Sequence, residues 1–191
     1  MKKIIILLTA AFAVLVSASC GSDNSAVELS FNYEKQPGPG SNQYAVWVEN
    51  TEGEVVKTLF VTAYTTKGRA WGDEELVRGY IKRPNCVPEW VKRSNADSLS
   101  DEALDAFSGA TPAESGLQSF VWDMTDASGN KVADGTYTIY VEATLYDSSI
   151  ILYSGSFKTN GKAGEIVLSS SLTKEDESHA GMISDVKAVL R

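Results

Sequence analysis

Between residues 27 and 33 every second side chain is apolar. Val27, Leu29, Phe31 and Tyr33 alternate with Glu28, Ser30 and Asn32. A period of two gathers the apolar set on one face of an extended chain, so this segment reads as a half-buried strand. Gln36-Pro37-Gly38-Pro39-Gly40 breaks it. Extended segments follow at Tyr44–Glu49, Val55–Tyr64, Phe120–Met124, Thr136–Tyr146, Ile150–Lys158 and Glu165–Ser170, while Met182–Leu190 fits a last strand or a short helix. Thr51-Glu52-Gly53 closes a hairpin between the second and third, because Gly53 can take the positive φ that bulkier residues resist. Roughly seven to eight strands with turn signals about every ten residues imply a mainly β chain, an antiparallel immunoglobulin-like or FnIII-like β-sandwich. The expected domain runs over 27–191 as a single unit.

The first residues read differently. Lys2 and Lys3 precede an apolar run, Ile4 to Val16, and the small residues Ser17, Ala18 and Ser19. A basic start, a short apolar stretch and a small-residue zone describe a secretory signal over 1–19. The run is too short to span a bilayer comfortably. Cys20 follows directly, and a polar stretch completes a tether over 20–26. The arrangement resembles a bacterial lipoprotein signal, in which Cys20 would carry the lipid anchor; Ser17 stands where such signals usually have Leu. Ordinary secretion with nearby cleavage is the alternative. Either reading places the protein outside the cytoplasm, in the periplasm or, if lipid-anchored, at the outer membrane.

Composition mainly excludes. Seventeen Lys and Arg against 25 Asp and Glu give 17 − 25 = −8, and loss of the two signal lysines gives 15 − 25 = −10. Such an acidic chain lacks the basic patch a nucleic-acid partner requires. The single histidine, His179, argues against a His-rich metal site and a Ser/His/Asp triad, so no metal is expected. With Cys20 acylated, Cys86 has no intrachain partner and reads as a buried small hydrophobe. Stability must then come from a packed core, for which 43% hydrophobic residues and four tryptophans suffice.

One stretch, about 65–116, lacks sustained alternation. It carries Trp71, Tyr80, Trp90, Pro84 and Pro88, and predicts short helices at Asp73–Tyr80, Pro88–Arg93 and Asp101–Phe107, the last with Ser100 as N-cap. A long, partly helical insertion in a sandwich is the expected seat of function. Beyond it, Trp122 to Tyr137 passes through Asp126-Ala127-Ser128-Gly129-Asn130 and Asp134-Gly135, a turn-rich hairpin that resembles those of flagellar hook-capping proteins and related extracellular sandwiches. Asp126, Ser128 and Asn130 alternate as in a calcium loop, but Tyr137 stands where the bidentate Glu would be needed. Adjacent carboxylates such as Glu74 and Glu75, or Asp101 and Glu102, read as a solvated face rather than an acid/base pair.

Within the insertion lies Asp105-Ala106-Phe107-Ser108-Gly109-Ala110-Thr111. It resembles the acceptor motif of bacterial flavin transferases: Asp, a small residue, any residue, Ser or Thr, Gly, Ala and the acceptor Thr. Ala113 stands where a Ser or Thr is often found. The resemblance implies covalent FMN on Thr111 through a phosphoester, with Asp105, Ser108, Gly109 and Ala110 recognised by the transferase. It also implies a flexible, exposed segment, and Trp71, Tyr80 or Trp90 as a platform for the flavin ring. The plain alternative is a turn after a short helix, with Gly109 and Pro112 ending it.

Five segments in order, Tyr44–Glu49, Val56–Leu59, Pro88–Trp90, Ser108–Thr111 and Trp122 through Tyr137 to Glu142, resemble the domain-of-unknown-function family 2271 of predicted periplasmic proteins. That resemblance implies an envelope location and membrane redox partners. Three function classes follow: a membrane-tethered, flavin-bearing electron carrier that is not an enzyme by itself, a carbohydrate- or peptide-binding module using exposed insertion aromatics, and a structural or assembly subunit. A hydrolase is disfavoured, because no nucleophile–base pairing is visible.

Overall fold

The computed structural model describes residues 25–37, 42–70, 72–145, 149–174 and 181–191. The expected signal, Cys20, most of the tether, Trp71 and His179 lie outside these residues.

Two sheets form the sandwich. The smaller contains β1 (Val27–Tyr33), β5 (Gly116–Trp122), β8 (Gly164–Ile166) and β10 (Ile183–Leu190) in the order β5-β1-β10-β8. The larger contains β2 (Asn42–Glu49), β3 (Val55–Thr62), β4 (Ser108–Gly109), β6 (Thr136–Leu145), β7 (Ser149–Lys158) and β9 (Ser169–Lys174) in the order β4-β3-β2-β6-β7-β9. Ladders are antiparallel except for the short parallel pairing of β4 with β3. The alternation in β1 works as expected: Val27, Leu29, Phe31 and Tyr33 all point into the space between the sheets. There they meet Val46 and Val48 of β2, Ile139 and Val141 of β6, and Trp122.

The large sheet is covered on its other face too. Every residue of β2 is buried, so its two side-chain rows enter two different cores. Ala45 and Trp47 join Val61, Tyr80, Cys86, Val87, Trp90, Ala96 and Leu104 in a second cluster beneath the insertion. Four short helices make that cover: α1 (Ala63–Lys67), α2 (Gly79–Lys82), α3 (Pro88–Arg93) and α4 (Asp101–Phe107). Burial among these residues pushes the Cys86 thiol up to about 11, as befits an inert core group.

The expected boundaries need four corrections. The third strand stops at Thr62, where the chain turns into α1. No helix covers residues 73–78; the helix begins at Gly79, which lies so close to the Tyr64 carbonyl that a Cβ would come within 1.9 Å of it. A continuous helix from Asp73 is prevented because Val77 is held against Gly68 in the same way. The strand expected at Phe120–Met124 is β5, which starts four residues earlier and ends at Trp122; Met124 has left the sheet with φ 59°. The segment Glu165–Ser170 is two strands, β8 and β9, in different sheets, with Val167 88% exposed at the crossing. Met182–Leu190 resolves to a strand, β10.

Candidate functional site

The acceptor-like segment begins at the end of α4. Ser100 caps this helix as its sequence predicts, its hydroxyl accepting the Ala103 amide at 3.2 Å. Asp105 pairs with Lys67 of α1 at 2.9 Å. The Ser108 hydroxyl lies 2.5 Å from both the Thr66 hydroxyl and the Leu104 carbonyl oxygen. Ser108 and Gly109 then run beside Val61 and Thr62 as the edge of the large sheet. Gly109 rests on Phe60, and a Cβ here would fall 2.2 Å from the ring. That ring cannot retreat freely, since it stacks on Tyr44 with centroids 5.0 Å apart and meets Phe120 at 5.2 Å.

The segment expected to be flexible is thus seated through Gly109. Ala110 is exposed, and Thr111 is half-buried with its hydroxyl 3.5 Å from the Asn42 carbonyl oxygen, at the outer limit of a hydrogen bond. Beyond it, Ala113, Glu114 and Ser115 are exposed. Lys35, at the end of β1, holds this stretch: its ammonium donates to the Ala113 carbonyl at 2.9 Å and its amide to the Ser115 hydroxyl at 3.0 Å. Asp105, Ser108, Gly109, Ala110 and Thr111 therefore sit together on one rim of the sandwich. Sequence reasoning missed Lys35, Asn42, Phe60, Thr66 and Lys67, which position them. These lie far from the motif in the chain, and no local pattern marks them.

The platform expectation fares worse. Trp90 is fully buried, its indole N–H bonded to Thr58 and its ring edge-on to Phe107. Tyr80 is 6% exposed and its hydroxyl donates to Asp97 at 2.9 Å. Neither can serve as the open stacking face expected of insertion aromatics, for a flavin or for a sugar. Trp47, Trp122 and Tyr137 are core residues. The Asp126 carboxylate accepts the Ser128 and Asn130 amides, both at 2.9 Å, which explains the hairpin without a cation. Among the described residues no cluster of three or more His, Cys, Asp or Glu is placed to hold a metal.

Two buried carboxylates on the large sheet were also missed. Glu142 of β6 is fully buried and accepts the Glu89 and Trp90 amides at 3.2 and 2.9 Å, docking the start of α3 onto the sheet. Burial pushes its carboxyl up to about 8 against the opposing pull of those two amide donors. Just before them Val87 adopts a left-handed backbone, φ 41°, unusual for a β-branched residue. Glu49 accepts the Trp47 indole N–H at 2.8 Å and pairs with Arg93 at 3.0 Å, while Arg93 lies over the Tyr140 ring. A charged residue inside an otherwise uncharged strand was the available signal for Glu142.

The sequence profile of one family, described as predicted periplasmic protein (DUF2271), matches residues 25–171. The chain belongs to this family. The match takes in β1 through β8 and the first half of β9, and with them the rim that carries Thr111. As a DUF2271 member the chain is assigned to the periplasm by its family description, in agreement with an extracytoplasmic location. Among its described residues no helix is long and apolar enough to cross a membrane. No curated protein and no solved structure matches it.

Proposed function

We propose that this periplasmic-family protein bears FMN on Thr111 and serves as a tethered electron carrier of the cell envelope, held to the membrane through Cys20. The observation that carries the reading is the build of the rim. Helix α4, the β4 edge pairing and the Phe60 ring seat the segment through Gly109, and Lys35 holds it again at Ala113, so that Ala110 stands exposed between these supports and Thr111 keeps one long hydrogen bond. A plain turn after a helix needs none of these supports.

The residues present suit the group. Esterification requires an activated flavin donor whose phosphate is part of an anhydride: the Thr111 Oγ–P bond forms, the anhydride P–O bond breaks, the donor's other half leaves as a nucleoside monophosphate, and the hydroxyl proton passes to a base on the transferase. The slim Gly109-Ala110 pair leaves room for that second enzyme, and a flavin dinucleotide is the class of donor implied. The ester would keep one negative charge, and Lys35, whose ammonium binds the Ala113 carbonyl two residues along the chain from Thr111, is a cation of the same stretch. When bound, the flavin supplies the ability to accept and pass on electrons; the chain supplies its placement. A covalent bond also prevents loss of the cofactor where no free pool can be relied upon.

The test is intact mass of the protein taken from an envelope with a working flavin transferase. An FMN-sized increment is expected on the wild type and not on Thr111→Ala. A wild type without the increment in that strain defeats the proposal.

A further inference from the structure

Beside the acceptor rim lies an open groove of about 670 Å³ between α1, the segment 76–81 and α4. This falls within the roughly 300–1,000 Å³ typical of small-molecule sites. We infer that it receives the isoalloxazine ring of the flavin on Thr111, an inference that rests on the attachment proposed above.

Adjacency is the first argument. Thr66 and Leu104, which line the groove, are the partners of Ser108, and Asp105 of the acceptor segment forms part of its wall. Thr111 follows Ser108 by three residues, at most ~10 Å of extended chain, so a ribityl phosphate arm has only a short way to bridge.

Surface chemistry is the second. Leu76 and Ile81 line the groove at 61% and 57% exposure, two large aliphatic side chains left uncovered on one wall. The apolar dimethylbenzene end of the planar ring would cover them. The charges argue against a free anionic ligand. Lys67 is paired with Asp105 at 2.9 Å and Arg78 with Asp101 at 3.1 Å, and Asp97 holds the Tyr80 hydroxyl. A free nucleotide would find both lining cations engaged and the lining carboxylates in excess. The oxidised ring is uncharged, and its phosphate remains outside at Thr111. The buried Tyr80 still reaches the groove, fixed by Arg78 and Asp97, and serves as rigid floor rather than as a stacking face.

The experiment uses the full chain isolated with its flavin from cells containing a transferase, and reads ring shielding apart from attachment. Intact mass gives attachment; iodide quenching of flavin fluorescence and circular dichroism in the visible band give the ring's surroundings. The wild type should resist quenching relative to free FMN and show an induced visible signal. The Leu76→Asn/Ile81→Asn variant changes two exposed side chains. It should keep the full mass increment and its thermal midpoint, be quenched several-fold more, and lose the visible signal. A normal increment with a wild-type ring quenched like free FMN, or with no response to the double substitution, overturns the groove alone. Absence of the increment overturns the attachment at Thr111, and the groove inference with it.

Discussion

Gly109 illustrates how a single atom decides the geometry of this rim. A methyl group there would sit 2.2 Å from a Phe60 ring that is itself packed between Tyr44 and Phe120. Overpacking of this kind costs typically ~1–3 kcal/mol. Gly109→Ala should therefore lower the unfolding free energy measured in urea by an amount in that range. Phe60→Leu in the same chain should return part of the loss, so that the double variant is less destabilised than the sum of its parts; strict additivity would contradict the contact. Glu142 makes a different prediction. Its folded pKa, about 8, stands above the 4.5 of a free carboxyl. Between those values the folded protein holds a proton that the unfolded chain has released, so stability must fall as pH rises through the window. Glu142→Gln removes the titrating proton, but its NH2 cannot accept the second of the two backbone amides. Its thermal midpoint should lie below the wild type near pH 5, and the gap should narrow toward pH 9 because the variant lacks this part of the slope, which is at most about 1.4 kcal/mol per pH unit for one proton.

At the scale of elements, local sequence signals decided the outcome wherever tertiary packing agreed with them. Helices α3 and α4 lie where Pro88 and Ser100 start them. Ser100→Ala should remove about 1 kcal/mol through loss of the Ala103 cap, measured by denaturant unfolding, and loosen the helix that delivers Asp105 to the rim. Retained stability would mean that packing of Leu104 alone holds α4. The helix expected at Asp73–Tyr80 failed for a reason no local pattern carries: Gly68 and Gly79 each meet a backbone carbonyl at a distance that fixes the path between them. Likewise Glu165–Ser170 reads as one strand, because the crossing at Val167 is a choice between two sheets rather than a break in propensity. The rim was legible only in part. The residues Asp105 to Thr111 form a continuous motif and could be picked out, whereas Lys35, Asn42, Phe60 and Lys67 reach it from the loop after β1, two strands and a helix.

For the whole molecule the deciding fact is that the large sheet has a core on each side. Trp122 belongs to the core between the sheets, which unites β1, β2, β6 and β10; Trp90 belongs to the outer one, which fastens the insertion to β2 and β3. Both are fully buried, and truncation of either costs in the range of ~3–5 kcal/mol. The consequences should nevertheless differ in kind. Trp122→Ala removes a side chain that contacts Tyr137 and Phe157 across the sandwich, so unfolding stays cooperative and its midpoint falls for every probe. Trp90→Ala empties the cluster beneath α1 to α4, whose other attachments to the sheet include the Glu142 cap, the Val87–Thr144 and Thr65–Gln43 bonds, the Arg93 contacts with Glu49 and Tyr140, and the short β4 ladder. Those are mostly single side-chain contacts rather than long backbone ladders, so the insertion should open first. Limited proteolysis of Trp90→Ala should then cut within residues 63–107 while the β-sheet circular dichroism persists, and amide exchange should accelerate there alone. If the insertion instead unfolds together with both sheets, the two cores form one cooperative unit. The rim that holds Thr111 would then owe its order to the entire sandwich rather than to the cover on its outer face.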